Sequence, residues 1–308
     1  MILFAGIPSE SPIALAIAAA ETLRLPHMVF NQRHAAHCQL RLEWGAGGLS
    51  GAIALGGSPI DLAGITGIYA RMADVGVLPE HRARGRTPPD PVALARATAM
   101  CGLFDDLLEV FPGTVVNRPS AMGSNMSKPG QAQLITAHGL KTPATLVSND
   151  PDAIRAFQAE HGRVIYKSIS AVRSIVQEWQ PGRDLAAVAR LPTQFQALVP
   201  GTDIRTHVVG DRVFASAIAS DAIDYRYADR QGHETAMEAT ELPPEIAARC
   251  VALTRSLGLV MSGIDLKRTP DGDWYCFEVN PSPAYSYFEE MAGQPMSTAL
   301  ARLLAGEP

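Results

Sequence analysis

Cysteine is scarce in this chain of 308 residues, and the short motifs that mark most catalytic centres are missing. Its four cysteines, Cys38, Cys101, Cys250 and Cys276, form no CxxC pair. That excludes a thiolate knuckle and leaves free, buried thiols in a reducing compartment as the expectation. Histidine gives no metal signature: His34 and His37 lie close to Cys38, but no second ligand pair follows at a spacing zinc could use. HExxH, GxSxG and the Walker lysine motif are all absent. Gly6-Ile7-Pro8 lacks the GxGxxG fingerprint of dinucleotide binding, and Gly45-Ala46-Gly47-Gly48 reads as a loop with no Lys-Ser or Lys-Thr after it. No apolar run reaches the roughly 18 residues that would span a membrane. The apolar stretch from Met1 to Leu23 has no basic start and is interrupted by Glu10, so it does not read as a signal peptide. A net charge of −5 argues against a broad nucleic-acid or anionic-membrane surface, while 47% hydrophobic and 19% charged residues indicate a soluble globular protein. A cytoplasmic location is expected. No internal repeat or low-complexity linker is visible.

The most informative stretch that is present runs from Gly263-Ile264-Asp265-Leu266, through Pro270-Asp271-Gly272-Asp273, to Phe277-Glu278-Val279-Asn280-Pro281. Asp-Gly between two apolar runs predicts a β-hairpin. With Asp271 and Gly272 at the turn centre, Asp265 faces Glu278 and Gly263 faces Asn280. Side chains alternate along a strand, so Glu278 and Asn280 share a face, joined by Asp265 from the partner strand. Ile264, Leu266, Phe277 and Val279 are expected to point into a core. Two carboxylates directly opposite each other repel, which requires something cationic between them. Carboxylate and amide oxygens suit a hard cation such as Mg²⁺. Pro270 is a complication, because it cannot donate a ladder hydrogen bond beside the turn. The competing reading is two acids on a solvated strand face.

Along the chain, residues 1–115 read as an α/β unit with strands at Ile2–Ala5, Met28–Asn31 and Gly67–Ala70. Residues 83–90 read as a loop, and Pro91–Val110 as an amphipathic helix. The character changes at Val115-Val116-Asn117-Arg118-Pro119. A second unit, 116–190, carries a helix from Lys128 to about His138 ended by Gly139, a strand at Thr142–Val147, a helix at 151–160 capped by Asp150, and a short buried strand at Arg163–Lys167. A third unit, 191–308, contains strands at Phe195–Val199, Ile204–Val209 and Val213–Ile218. Helix 243–257, the acidic hairpin and a closing helix at Met296–Leu304 complete it.

Other candidate groups are weaker alone. Lys128 opens a helix and Lys167 ends a strand; two such lysines in one cleft could cradle polyphosphate, although single lysines are usually solvated. Asp203 and Arg205 share a strand face, where a carboxylate could bind ribose hydroxyls and an arginine phosphate, or the two could form a surface ion pair. Asp224-Tyr225-Arg226 is equally open.

Taken in order, these features resemble the ATP-grasp superfamily, and within it the branch of ribosomal-protein glutamate ligases and microviridin-type (graspetide) peptide-cyclising ligases. The resemblance runs from about residue 67 to the C-terminal end. It is carried by Val116-Asn117-Arg118-Pro119, Lys128-Pro129-Gly130-Gln131, Thr142–Val147, Asp224-Tyr225-Arg226, Glu278-Val279-Asn280-Pro281 and Tyr287-Phe288-Glu289-Glu290-Met291-Ala292-Gly293-Gln294-Pro295.

The resemblance implies an α/β (α+β) ATP-grasp fold: an N-terminal pre-ATP-grasp domain, a central small lobe and a C-terminal lobe. Lys128 and Lys167 are then expected on ATP phosphates, with Ala197 and Leu198 giving backbone hydrogen bonds to adenine and Asp203 binding ribose. Arg205 and Arg226 would stabilise the transferring phosphate, and Asp265, Glu278 and Asn280 would hold one or two Mg²⁺, or Mn²⁺ in its place. The implied reaction joins a carboxylate to an amine or hydroxyl through an acyl phosphate, on a peptide or amino-acid substrate such as a precursor peptide. A homodimer is compatible with the resemblance; nucleic acid and membrane are not expected partners. A phosphotransferase on the same scaffold, or a non-catalytic nucleotide-regulated module, are the alternatives. Two departures stand out: the candidate lid at 168–178 has no glycine after Lys167 before Gly182, leaving Ser170 and Arg173 to replace those contacts, and Ala197 sits where an acidic residue is common.

Overall fold

The computed structural model describes residues 1–82, 90–169, 176–180, 182–220 and 235–307. The loop expected at 83–90 falls largely outside these residues, as do Ser170, Arg173 and Asp224-Tyr225-Arg226.

The N-terminal part alternates strand and helix: β1 (Ile2–Gly6), α1 (Ser11–Thr22), β2 (His27–Asn31), β3 (Gln39–Gly45), β4 (Gly48–Ala54), β5 (Ile60–Asp61), β6 (Gly67–Arg71), α2 (Pro91–Val110) and β7 (Thr114–Val116). Strands β2, β1, β6 and β7 pair in that order, all parallel. A parallel sheet is covered on both faces, and the alternation along β1 shows it. Ile2 and Phe4 pack with Ala16, Tyr69 and Leu300, while Leu3 and Ala5 pack with Ile68, Phe104 and Leu107. Helix α2 begins at Pro91 because the Asp90 carboxylate accepts the Val92 and Ala93 amides. The glycine-rich segment Gly45-Ala46-Gly47-Gly48 is the turn of the β3–β4 hairpin, part of a small sheet that also holds β5.

Next come α3 (Pro119–Met122), α4 (Lys128–Ala137), β8 (Thr145–Ser148), α5 (Pro151–His161), β9 (Val164–Ser168), β10 (Gln177–Glu178) and β11 (Thr193–Ala197). The order β10-β9-β11-β8 forms an antiparallel sheet around Val164, Trp179 and Phe195. Strand β11 therefore belongs to this central sheet, not to the third unit as the sequence reading had it, since its partners are β8 and β9. The strand expected at Thr142–Val147 starts only at Thr145, after Pro143. Asp150 caps α5 through the Asp152 amide, as expected.

The remaining elements are β12 (Thr202–Val209), β13 (Arg212–Ser220), β14 (Thr235–Thr240), α6 (Pro244–Ser256), β15 (Met261–Arg268), β16 (Trp274–Asn280), α7 (Ser286–Ala292) and α8 (Met296–Ala305). Strands pair antiparallel in the order β14-β13-β12-β15-β16. One face buries Ile204, Val208, Ile264, Leu266, Cys276 and Val279 against α6 and against Ile135 of α4. Helix α4 thus packs on the C-terminal sheet although the chain order places it in the central segment. Helix α8 returns to the N-terminal sheet, where Leu300 and Leu304 join the cluster around Ile2 and Phe4. Among the described residues no helix is long and apolar enough to cross a membrane.

The β15–β16 hairpin differs from its expected form in an instructive way. Gly272, at φ 87°, takes the left-handed position of a three-residue loop: its amide donates to the Thr269 carbonyl at 3.0 Å, and the Thr269 amide donates to Asp273 at 2.9 Å. That pairing is one residue short of the expected register, so Leu266 faces Cys276. A β-bulge between Asp265 and Leu266 restores the register, and Asp265 faces Glu278 with Gly263 facing Asn280. The correction falls on Phe277. It was expected in the core, but Cys276 takes that place at 1% exposure, and Phe277 is only half-buried. Of the four thiols, Cys101, Cys250 and Cys276 are buried, while Cys38 is half-buried.

Two buried amides fix the hairpin to its surroundings. Gln131 of α4 donates to the Val279 carbonyl and accepts from the Val279 amide, both at 2.9 Å. Asn117, just after β7, donates to the carbonyls of Met261 (2.7 Å) and Pro281 (2.6 Å) and accepts from the amides of Val260 and Met261. Replacing Gln131 by leucine keeps the volume but leaves both Val279 groups buried without partners. Each such group costs about 1–3 kcal/mol, so Gln131→Leu is expected to lower the unfolding free energy by roughly 2–4 kcal/mol in urea titration.

Candidate active site

Strand alternation and register place the candidate residues in rows across four neighbouring strands. One row reads Ser216, Arg205, Asp265 and Glu278 from β13 to β16. The row on one side reads Phe214, His207, Gly263 and Asn280, and the row on the other begins Ile218, Asp203 and Lys267. Asp265 and Glu278 are therefore cross-strand neighbours, which is unfavourable unless each is neutralised.

The neutralising cations come from two directions. Arg205, the neighbour of Asp265 in the row, places Nη1 2.5 Å from Asp265 Oδ1. Lys128, in the first turn of α4, places Nζ 2.5 Å from Glu278 Oε1. Asn125 locks this second pair: its Nδ2 donates to the same Glu278 oxygen at 2.9 Å, and its Oδ1 accepts from Lys128 Nζ at 3.0 Å. The helix start that presents Lys128 is held by Ser127, whose hydroxyl accepts the Gly130 amide.

Arg205 is 7% exposed and enclosed on several sides. Its Nε contacts His207 Nε2 at 3.4 Å, and its guanidinium carbon lies 5.5 Å from the Phe288 ring centre. Gly263 supplies the remaining space, since a Cβ there would stand 2.1 Å from Arg205 Nη2 and 2.7 Å from Pro283 Cβ. His207 is fully buried, and its desolvation, followed by the Arg205 charge, holds its pKa well below the ordinary imidazole value. Neutral, it can accept from Arg205 without adding repulsion.

The other sequence candidates fall as follows. Asp203 accepts from Lys267 Nζ at 3.2 Å, and Lys267 also lies 5.9 Å over the Phe277 ring, which the bulge turns away from the core. Asn280 Oδ1 accepts the Ser282 amide at 2.9 Å. Lys167 sits on β9 opposite Gln194, in the central sheet rather than in the acid rows. Ala197 and Leu198 lie at the exit of that sheet, but their amides are already used, donating to Ala144 and Arg163 carbonyls at 2.9 Å. Arg226 lies outside the described residues.

Sequence reasoning did not single out Asn125, His207, Lys267 or Arg71. Alternation from Arg205 and Asp265 could have found His207 and Lys267; the other two are joined to the site only by the fold.

No three of His, Cys, Asp and Glu come together among the described residues. The donor set is two carboxylates and one amide oxygen on adjacent strands. Oxygen donors of this kind fit Mg²⁺ or Mn²⁺, and the ion pairs to Lys128 and Arg205 mark the places where positive charge is needed.

A sheet carrying cations and carboxylates in rows, faced by a helix-borne lysine and adjoined by a separate antiparallel lobe, has charges that suit phosphate and its counter-ions. Residues 127–304 match the RimK-like ATP-grasp domain. The probable alpha-L-glutamate ligase of Xanthomonas oryzae pv. oryzae is 30% identical over 213 residues, 63% of this chain and 70% of that protein. The ATP-grasp ligase PsnB, solved with a phosphomimetic variant of minimal precursor, Mg and ADP, superposes with a TM-score of 0.77 at 25% identity, covering 99% of this chain and 97% of that one. The macrocyclase MdnC from Microcystis aeruginosa MRC, bound with precursor peptide MdnA, shares the fold at a TM-score of 0.78 and 22% identity over the full length of both chains. The chain belongs to the RimK-like ATP-grasp family. It is an enzyme of the ligase kind, forming an amide or ester bond.

The state of His207 is accessible to experiment. In the unfolded chain it takes up a proton near pH 6.5, whereas in the folded protein desolvation, with the Arg205 charge, moves that uptake well below this pH. The folded state then binds fewer protons, so this contribution is complete above that pH and is lost as the pH falls below it. Between pH 7.5 and 5.5 the wild type is expected to lose about 1 kcal/mol more unfolding free energy than His207→Gln, measured by urea titration.

Proposed function

We propose that this enzyme joins a carboxylate to an amine or hydroxyl at the expense of ATP, on a peptide substrate and through an acyl phosphate. The observation that carries the reading is the row Arg205–Asp265–Glu278 with Lys128 at its end: two opposed carboxylates, each held by a cation suited to polyphosphate. The precursor-bound relatives PsnB and MdnC support the peptide, and the glutamate ligase relatives support carboxylate chemistry.

In this reading ATP lies between the central sheet and the acid rows. Lys128 and Lys167 bind phosphate oxygens, Asp203 binds the ribose, and the base meets the backbone of Ala197 and Leu198. Asp265, Glu278 and Asn280 would hold Mg²⁺, which would neutralise the phosphates and lower the cost of charge build-up. Lys128 and Arg205 are the cations that face phosphate. A substrate carboxylate oxygen bonds to the γ-phosphorus and the bond to the β,γ-bridging oxygen breaks, giving acyl phosphate and ADP. The acceptor nitrogen or oxygen next attacks the acyl carbon, phosphate leaves with the bonding electron pair, and the acceptor's proton passes to phosphate or solvent. Arg205, with Arg226, steadies the charge on the phosphoryl group in both steps. The protein's work is positioning and charge neutralisation, so no covalent nucleophile is required.

Mass spectrometry of products from MgATP and a pool of amino acids and host precursor peptides tests the reading. ADP together with a product lighter than its reactants by one water is expected. Glu278→Ala should lower ADP formation by about 10²-fold or more while circular dichroism stays unchanged. A phosphorylated product would mean phosphotransfer, and unchanged turnover in Glu278→Ala would remove the metal assignment.

A further inference from the structure

Next to the acid rows, the loop that follows Asn280 is gripped by a charged pair from the N-terminal part of the chain. Arg71, the last residue of β6, donates from Nε (2.9 Å) and Nη2 (2.7 Å) to Glu10 Oε1. Its Nη1 donates to Ser282 Oγ at 2.8 Å and to the Pro283 carbonyl at 3.1 Å. Ser282 in turn gives its amide to Asn280 Oδ1. A continuous line, Glu10–Arg71–Ser282–Asn280, therefore runs from one sheet to the amide of the other.

Several features make this more than a stabilising contact. The Arg71 side chain is only 12% exposed. Its partner Glu10 is 37% exposed, so the ion pair itself contributes little net stability, while the desolvated guanidinium depends on the bonds it makes to the loop. Four guanidinium N–H bonds are directed, and two of them end on a backbone carbonyl and a hydroxyl of one short loop, a geometry that fixes position. Asn117 grips the same loop at the Pro281 carbonyl. Between these two anchors the Ser282 amide has little freedom, and with it the Asn280 amide plane.

We propose that Arg71, held by Glu10, is a positioning residue that orients the Asn280 side chain through Ser282, making the N-terminal α/β part a structural component of the cation site. This inference rests on the proposed metal role of Asp265, Glu278 and Asn280. Arg71 touches neither the expected nucleotide nor the ion; it sets the angle of a ligand.

The test is Mn²⁺ binding to the full chain with ADP, followed by the loss of the free-ion EPR signal, alongside KM for metal–ATP and kcat. Arg71→Met is expected to weaken Mn²⁺ binding by about tenfold or more, the usual effect of removing a group that orients a metal ligand. Arg71→Lys, which keeps a donor for the loop, should recover part of that loss. ADP binding without metal should not change. Ser282→Ala deletes only the hydroxyl contact and should weaken Mn²⁺ binding by a smaller factor, which covers the case of Arg71→Met failing to fold. Glu278→Gln separates the two readings. If it abolishes Mn²⁺ binding while Arg71→Met, or Ser282→Ala where the former does not fold, binds like wild type, the positioning role is overturned and the metal site stands. If Glu278→Gln also binds like wild type, the metal site falls and this inference falls with it.

Discussion

Everything around the site answers one electrostatic problem: Asp265 and Glu278 stand directly opposite each other on paired strands. Left alone they would repel and strain the hairpin. The fold brings a cation to each from opposite sides. Arg205 comes from the neighbouring strand in the same row, and Lys128 from the first turn of a helix packed on the sheet edge. Neither cation is interchangeable with a surface charge. Arg205 is boxed in by His207, Phe288 and the missing side chain at Gly263, while Lys128 is tied by Asn125 to the oxygen it neutralises. In the proposed function this carboxylate pair exchanges its cations for a metal and polyphosphate, so the ion pairs and the proposed working state are two uses of one charge arrangement.

That constraint also explains why the chain does not fold as three consecutive blocks. Helix α4 has to deliver Lys128 to β16, so it packs in the core of the C-terminal sheet despite preceding the central one. Asn117 and Arg71 reach across from the N-terminal sheet to the start of β15 and the end of β16, and α8 closes back on that same sheet. The crossings of α4, Asn117 and Arg71 meet around the acid rows.

Much of this was legible in the sequence. The Asp-Gly turn and the alternation around it predicted the opposition of Asp265 and Glu278, and strand alternation predicted that Asp203 and Arg205 share a face. The pairing came out right through two compensating irregularities, a shorter loop and a bulge, which is why Phe277 was misplaced while Glu278 was not. A residue count through a hairpin carries no information about a bulge, because the extra residue is chosen by packing on both faces. Arg71, Asn117 and Asn125 are polar residues whose meaning comes from carbonyls and carboxylates distant in sequence, so local pattern could not reveal their roles.

The most direct test of the central claim is where a metal binds. Crystals grown with ADP and Mn²⁺ would be measured at the manganese absorption edge, and the anomalous difference map inspected around the acid rows. The account predicts a peak within coordination distance of the Asp265 and Glu278 carboxylates and the Asn280 amide oxygen, with Lys128 Nζ moved away from Glu278 toward phosphate. Clear ADP density with no peak there, or with Lys128 and Arg205 still paired to the two acids, would contradict it.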